Sequence, residues 1–176
     1  MTESVSIVTA SLTLRGFTPA DARKVLAMSQ QARLREWLPD QVYADEPEAS
    51  RVLLHLIDQY GNLDAPVKAP LVLGVGLRSS GELIGHVGLS PAGDTVEIGY
   101  AIEDAHQGRG LATEAVRAMT DWGIRTFALP GVDGIVASDN PGSCKVLEKA
   151  GFALRGEAMR SWHGVTRLVR TYRRPA

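Results

Sequence analysis

The sequence predicts an α+β fold: a mixed, mostly antiparallel sheet with helices packed on it. Three observations carry this. The elements run strand, two helices, three strands, helix, strand, helix, two strands, which is not the regular alternation of a doubly wound sheet. The three middle strands are joined by turns too short for a crossover, so they form an antiparallel meander. The chain has 176 residues, 44% of them hydrophobic and 22% charged, which suits one sizeable core. A single domain over residues 1–176 is expected.

The first strand is "SLTLRGF", Ser11 to Phe17, where Leu12 and Leu14 alternate with polar neighbours. Thr18 then caps a helix with Pro19 at its first position and Ala22, Val25, Leu26 and Met28 as its apolar side. "REWLPD" breaks at Pro39, and "EPEASRVLLHLIDQYG", Glu46 to Gly61, is a second helix stopped by glycine. "NLDAPVKAP" reads as loop. The meander is "LVLGVGLR", the turn "SSGE", "LIGHVGLS", the turn "PAGD" and "TVEIGYAI". In its third strand Val96, Ile98, Tyr100 and Ile102 share one face, and Glu97, Gly99 and Ala101 the other.

A helix from Leu111 to about Phe127 follows, with Leu111, Ala115, Met119 and Trp122 at helical spacing. Glu114, Arg117 and Asp121 on its other faces are candidates to pair. "VDGIVASD" is a strand. "NPGSCKVLEKAGF" is a helix with Asn140 as cap, Pro141 first and Gly151 as stop, and Phe152 folds back on it. The remainder is a hairpin turning near Trp162–Gly164.

Net charge is −1, so no overall field points to nucleic acid or a membrane surface. Arginines crowd the last stretch (Arg155, Arg160, Arg167, Arg170, Arg173, Arg174). They read as a solvated strand edge that discourages aggregation, or as a contact for an acidic acceptor or RNA. Cys144 is the one cysteine, which rules out an intrachain disulfide. The first residues, "MTESVSIVTASLTLRGF", lack the basic start and apolar run of a secretory signal, and no apolar run reaches the ~18 residues of a membrane span. A cytoplasmic protein without a metal is expected.

Between the meander and the long helix lies "AIEDAHQGRGLATEA", with Gly108 and Gly110 flanking Arg109. A dinucleotide fingerprint needs a third glycine tight against the strand, and a Walker loop needs Gly-Lys; neither is present. What is left is a set of backbone amides at a helix start, fit to hold phosphate, or a plain tight turn. Glycines without β-carbons would let a diphosphate approach, with Arg109 adding charge from the side.

"QGRGLA", Gln107 to Ala112, resembles the Q/R-x-x-G-x-G/A signature of GNAT-type N-acyltransferases, which seat the coenzyme A pyrophosphate there. "VEIGYAI" is similar to that family's fourth strand, "LATEA" to the start of the next helix, and Asn140 to Phe152 to its later coenzyme A-contacting segment. The likeness covers nearly the whole chain. "SLTLRGFTPADA" and "REWLPD" resemble the RimJ/RimL branch, which acetylates protein N-termini and, in relatives, small-molecule amines. The fold implied is a sheet of six to seven strands with about four helices, splayed between its fourth and fifth strands.

The resemblance implies direct attack of an amine on acetyl-CoA in a ternary complex. Cofactor contacts would come from Tyr100 and Ile102 at the splay, from Gln107, Gly108, Arg109, Gly110, Leu111, Ala112 and Thr113 at the pyrophosphate, and from Asn140, Ser143 and Lys145. Lys145 either reaches the 3′-phosphate or is a solvated helix side chain. Glu97 stands where several members carry a general base, and otherwise only shapes the pocket. His86 is the runner-up base. His106 flanks the phosphate loop, too far from the chemistry, and His55 and His163 have no supporting motif. Leu147 holds the place of a tyrosine that protonates the leaving thiolate in many members, which leaves any dedicated acid in doubt. Ser143 either meets the departing sulfur or, like Asn140, caps the helix. Cys144 reads as packing rather than nucleophile.

Trp37, Leu38 and Trp162 are candidate walls for the acceptor, or plain core. The acceptor is a protein N-terminus or a small-molecule amine. Competing readings are an acyl-CoA-binding module without turnover, a transferase using another acyl-CoA such as succinyl-CoA, and an RNA- or partner-binding domain. A homodimer through the C-terminal hairpin or another strand edge is a further expectation.

Overall fold

The computed structural model describes residues 5–62 and 64–176; the first four residues of the N-terminal stretch and Leu63 of the "NLDAPVKAP" loop lie outside the described residues. Strand β1, Ser6–Val8, pairs antiparallel with β2, Leu12–Arg15, whose Leu12 and Leu14 are fully buried as their alternation requires. Thr18 and Asp21 open a short turn of helix: Asp21 Oδ2 accepts from the Thr18 amide at 2.8 Å. Helices α1, Ala22–Ser29, α2, Ala32–Trp37, and α3, Glu46–Asp58, follow, with Asp45 Oδ1 capping the Glu48 amide at 2.9 Å.

The meander is β3, Leu71–Leu77, β4, Leu83–Ala92, and β5, Thr95–Ile102. After the glycine corner come α4, Leu111–Phe127, β6, Gly131–Ala137, α5, Pro141–Lys149, and the hairpin β7, Ala153–Trp162, and β8, Val165–Pro175. One sheet contains all eight strands, in the order β1-β2-β3-β4-β5-β6-β8-β7. Among the described residues only β5 and β6 run parallel, because α4 carries the chain across the sheet between them.

Two packed layers fix the faces. The main core joins the even-numbered side of β5 (Val96, Ile98, Ile102) to α4 and α5 through Leu111, Val116, Met119 and Leu147. A smaller core of Phe17, Ala22, Met28, Leu53 and Leu83 seats α1 and α3 on the opposite face. Glu97, Gly99 and Ala101 therefore face the α1 side.

Several expectations need correction. Among the described residues the sheet has eight strands, not six or seven, and there are five α-helices, not about four. The additions are β1, three residues long and too short for a period to be read, and α2, six residues pinched between Gln31 and Pro39. The turn read as "PAGD" is tighter: Pro91 and Ala92 pair with Val96 and Thr95, so only Gly93 and Asp94 turn, with Gly93 at φ +62°. Glu114, Arg117 and Asp121 do not pair with one another. Glu114 accepts from the Ser11 amide, Arg117 donates to the Lys149 carbonyl, and Asp121 pairs with Arg174. The helix end at Gly151 is as read: φ is +92° there, and the Phe152 amide returns to the Leu147 carbonyl at 3.0 Å.

Candidate active site

The sheet comes apart where β5 leaves β6. Among the described residues their register holds one pair, Glu97↔Asp133. The Glu103 amide donates to the Ile84 carbonyl on β4, so by strand alternation the backbone groups of Tyr100 and Ile102 point the other way, into the gap. The Ile102 carbonyl accepts from Gln107 Nε2 at 2.9 Å. The gap is bridged higher up, where the Tyr100 hydroxyl donates to the Ser143 carbonyl at 3.1 Å, and burial raises that phenol's pKa.

A cavity of about 830 Å³ opens here. It is lined by every cofactor-contact residue expected from the sequence except Arg109, and also by Glu97, His86, Trp37, Leu38 and Trp162. Arg109 is not among the lining residues; its Nη1 lies 3.2 Å from Nδ1 of His106, which does line the cavity, on the side of the glycine corner. His55 is exposed on α3, outside the cavity. His163, at the hairpin tip, meets Asp40 Oδ2 at 2.5 Å.

At the glycine corner, Gly108 and Gly110 have φ +73° and +78°, a region that strains any residue with a side chain. The turn alone therefore demands glycine. The first helical bond runs from the Glu114 amide to the Gly110 carbonyl, leaving the amides of Leu111, Ala112 and Thr113 without intrahelical partners. All three residues line the cavity at the positive end of a 17-residue helix. A diphosphate fits such a donor set, and a β-carbon built at either glycine meets no heavy atom within 4 Å.

Across the floor, one row of side chains crosses three strands: Glu97 on β5, Asp133 on β6 and Arg173 on β8. Arg173 Nη1 donates to Asp133 Oδ1 at 2.6 Å and to Thr95 Oγ1 at 3.3 Å. Among the described residues no group donates a hydrogen bond to the Glu97 carboxyl. Burial, aided by the Asp133 charge, pushes its carboxyl up to about 7. His86, opposite Ala101 on β4, is pushed down to about 4 by burial.

Asn140 Oδ1 accepts from the Ser143 amide at 3.1 Å, so Asn140 caps α5 while lining the cavity. Lys145 is exposed at its edge. Leu147 and Cys144 are buried in the main core, Leu147 pressed against Gly134. Of the late arginines, four hold carboxylates: Arg167 with Asp139, Arg170 with Glu157, Arg173 with Asp133 and Arg174 with Asp121.

Three contributors were not picked out from the sequence. Gln31, ahead of α2, accepts from the Asp104 amide at 2.9 Å and donates to Glu103 at 3.2 Å, tying the start of α2 to the segment that leads into the glycine corner. Lys24 bridges Glu103 and Glu82 at 2.9 and 3.6 Å. Asp133 stands in a strand whose existence was clear, but only the register sets it beside Glu97. The guanidinium of Arg167 lies 5.4 Å over the Trp37 ring, joining the hairpin to α2.

Comparison with known proteins fits this geometry. The family model "Acetyltransferase (GNAT) domain" matches residues 11–153. The probable N-acetyltransferase YjcK of Bacillus subtilis is 39% identical over 92 residues, 50% of this chain and 51% of that one, so the chain spans about half of its length. The putative ribosomal N-acetyltransferase YdaF of Bacillus subtilis is 28% identical over 157 residues, 84% of this chain and 80% of that one. In fold, the chain is similar to RimL, a ribosomal L7/L12 α-N-protein acetyltransferase solved with coenzyme A. The TM-score is 0.83 at 18% identity, over 97% of this chain and 98% of the other.

Proposed function

The chain belongs to the GNAT acetyltransferase family, with its likeness to the RimJ/RimL-like branch, and from that premise we propose that it moves an acetyl group from acetyl-CoA to a primary amine. The reading rests chiefly on the splay, where strand backbone at Tyr100 and Ile102 that has no partner on β6 among the described residues, and three helix amides without intrahelical partners, line one cavity that also holds Glu97.

Acetyl-CoA brings an activated thioester, and the chain's residues hold it and manage the proton. Leu111, Ala112 and Thr113 amides would hold the diphosphate, and the backbone of Tyr100 and Ile102 the pantetheine amides. Lys145 would neutralise a phosphate at the cavity edge. A strand amide at the splay would stabilise the oxyanion that forms as the amine attacks.

An α-amine loses its proton near ~8. A carboxylate at about 7 accepts that proton at a cost of about 1 kcal/mol, whereas an imidazole at about 4 would need several times as much. Glu97, directly or through a water, is therefore the base we assign, and His86 a cavity wall. With Leu147 in the core, Ser143 at the start of α5 is the group able to meet the departing sulfur. A thiol of pKa near ~8.5 leaves without full protonation, so no stronger acid is required.

The names of relatives such as YdaF and the Escherichia coli ribosomal-protein-serine acetyltransferase support a protein N-terminus as acceptor. Trp37, Leu38 and Trp162 would wall it. Strand β7, exposed along nearly all its length at the sheet edge, is the route we assign to any homodimer.

The test is calorimetric titration with acetyl-CoA and succinyl-CoA, followed by thiol-release assays on N-terminal peptides and free amines. Binding of acetyl-CoA with release of thiol only when an amine is present supports the reading. Binding without transfer to any amine would make the protein an acyl-CoA-binding module. Transfer from succinyl-CoA alone would keep the chemistry and change the donor.

A further inference from the structure

Glycine weakens the interior of a strand, so a mid-strand glycine calls for a reason. Gly88 and Gly85 on β4 have one within the fold. A β-carbon at Gly88 would press on Val72 Cγ2 at 2.7 Å and the Leu71 carbonyl at 2.8 Å, and one at Gly85 would collide with the Ala101 carbonyl. Gly99, in the middle of β5 and opposite Gly88, has none. Its φ is not in the left-handed region, and a β-carbon built on it meets no heavy atom within 4 Å. It is exposed, although Ile98 before it is buried. Among the described residues no heavy atom fills the space above Gly99.

That space lies inside the candidate site. Gly99 lines the cavity on the same face as Glu97, two residues one way, and Ala101, two residues the other. His86 stands beside Ala101 on β4. Between Glu97 and the Ala101–His86 pair, a span of about 13 Å along the strand, this face of β5 carries no side chain, because Ile98 and Tyr100 belong to the other face. Tyr100, the next residue, presents its backbone to the gap between β5 and β6. Trp37, Leu38 and Trp162 line the same cavity.

We infer that Gly99 is a specificity-determining residue: it leaves room for the substituent on the carbon that bears the acceptor's amine. This rests on the acetyltransferase reading, in which the amine lies between Glu97 and the thioester held along β5. A side chain at position 99 would compete for the volume filled by that substituent and would leave the diphosphate and pantetheine contacts untouched.

The experiment uses Gly99→Ala and Gly99→Val with four tetrapeptides that differ only in a first residue of Gly, Ser, Val or Phe. Both variants should melt at or above the wild-type temperature, since a strand gains from a β-carbon that meets no clash. Both should bind acetyl-CoA as the wild type does. Relative to the Gly-first peptide, kcat/KM for the Val- and Phe-first peptides should fall about tenfold in Gly99→Ala, and in Gly99→Val the loss should extend to the Ser-first peptide. An equal loss on all four peptides, or none, would overturn the inference. A wild type that binds acetyl-CoA but acetylates none of the four also overturns it and leaves transfer to other amines standing. Failure of the wild type to bind acetyl-CoA brings down the transferase reading itself.

Discussion

Replacing Glu97 with Gln should raise stability and abolish most activity, and the two effects should share one pH dependence. The folded chain keeps the Glu97 proton up to about pH 7, while the unfolded chain releases it near 4.5. Between those values the native state binds more protons, so stability falls as pH rises through the window and stays low above it. Full ionisation costs about 3 kcal/mol at most, and partial access to solvent in the open cavity reduces this to about 2 kcal/mol. Gln carries no such cost. Melting of Glu97→Gln and wild type should coincide near pH 4 and diverge by pH 8, where the variant gains about 4–8 °C in Tm. In the same variant kcat/KM should drop about 100-fold or more, and the wild-type limb rising near pH 7 should vanish. A Tm difference equal at both pH values would refute the buried, proton-holding carboxyl. A variant that keeps the limb near pH 7 would refute Glu97 as base.

Three further outcomes follow from the same geometry. Thr113→Asp puts a carboxylate in the first turn of α4, which should stabilise the helix by about 0.5 kcal/mol yet repel a diphosphate, weakening acetyl-CoA binding about tenfold or more by calorimetry. Asp133→Asn removes the charge beside Glu97 and leaves Arg173 without its partner, so the rising limb of the pH–rate profile should move down by about one pH unit. Trp162→Ala should raise KM for the acceptor about tenfold with acetyl-CoA affinity unchanged, read from paired titrations of the two substrates.

Which parts of this were legible in the sequence depended on how local their causes are. The start of α3, the cap and stop of α5, the strand alternation of β2 and β5, and the hairpin turn at His163–Gly164 are set within a few residues of chain, and the sequence places them close to where they lie. β1 and α2 were missed because three and six residues complete no recognisable period; the sheet and the neighbouring loops hold them instead. The candidate site divides along the same line. The glycine corner and Asn140 announce themselves by local spacing. Asp133 beside Glu97 and Gln31 on the phosphate loop exist only through contacts between residues 36 and 72 or more positions apart, which no local pattern encodes. Arg109, expected to add charge from the side of the glycine corner, lies beside His106, a contact three residues away that the motif does not specify.

The splay connects these elements physically. Ending the β5–β6 ladder after Glu97 forfeits backbone hydrogen bonds worth about 1 kcal/mol each, and leaves polar groups that a closed sheet would have paired. The chain does not let the gap collapse. Tyr100 reaches across it to α5, Gln107 occupies the Ile102 carbonyl, and Gln31 with Lys24 fixes the loop that leads into α4. Backbone held open by these contacts needs no ligand to keep the gap apart, and amides already in place can stabilise a developing charge without reorganising. The two explanations of the glycine corner then merge. Only glycines permit the left-handed turn at residues 108 and 110, and that turn is what starts α4 with three free amides on the same cavity as the open strand.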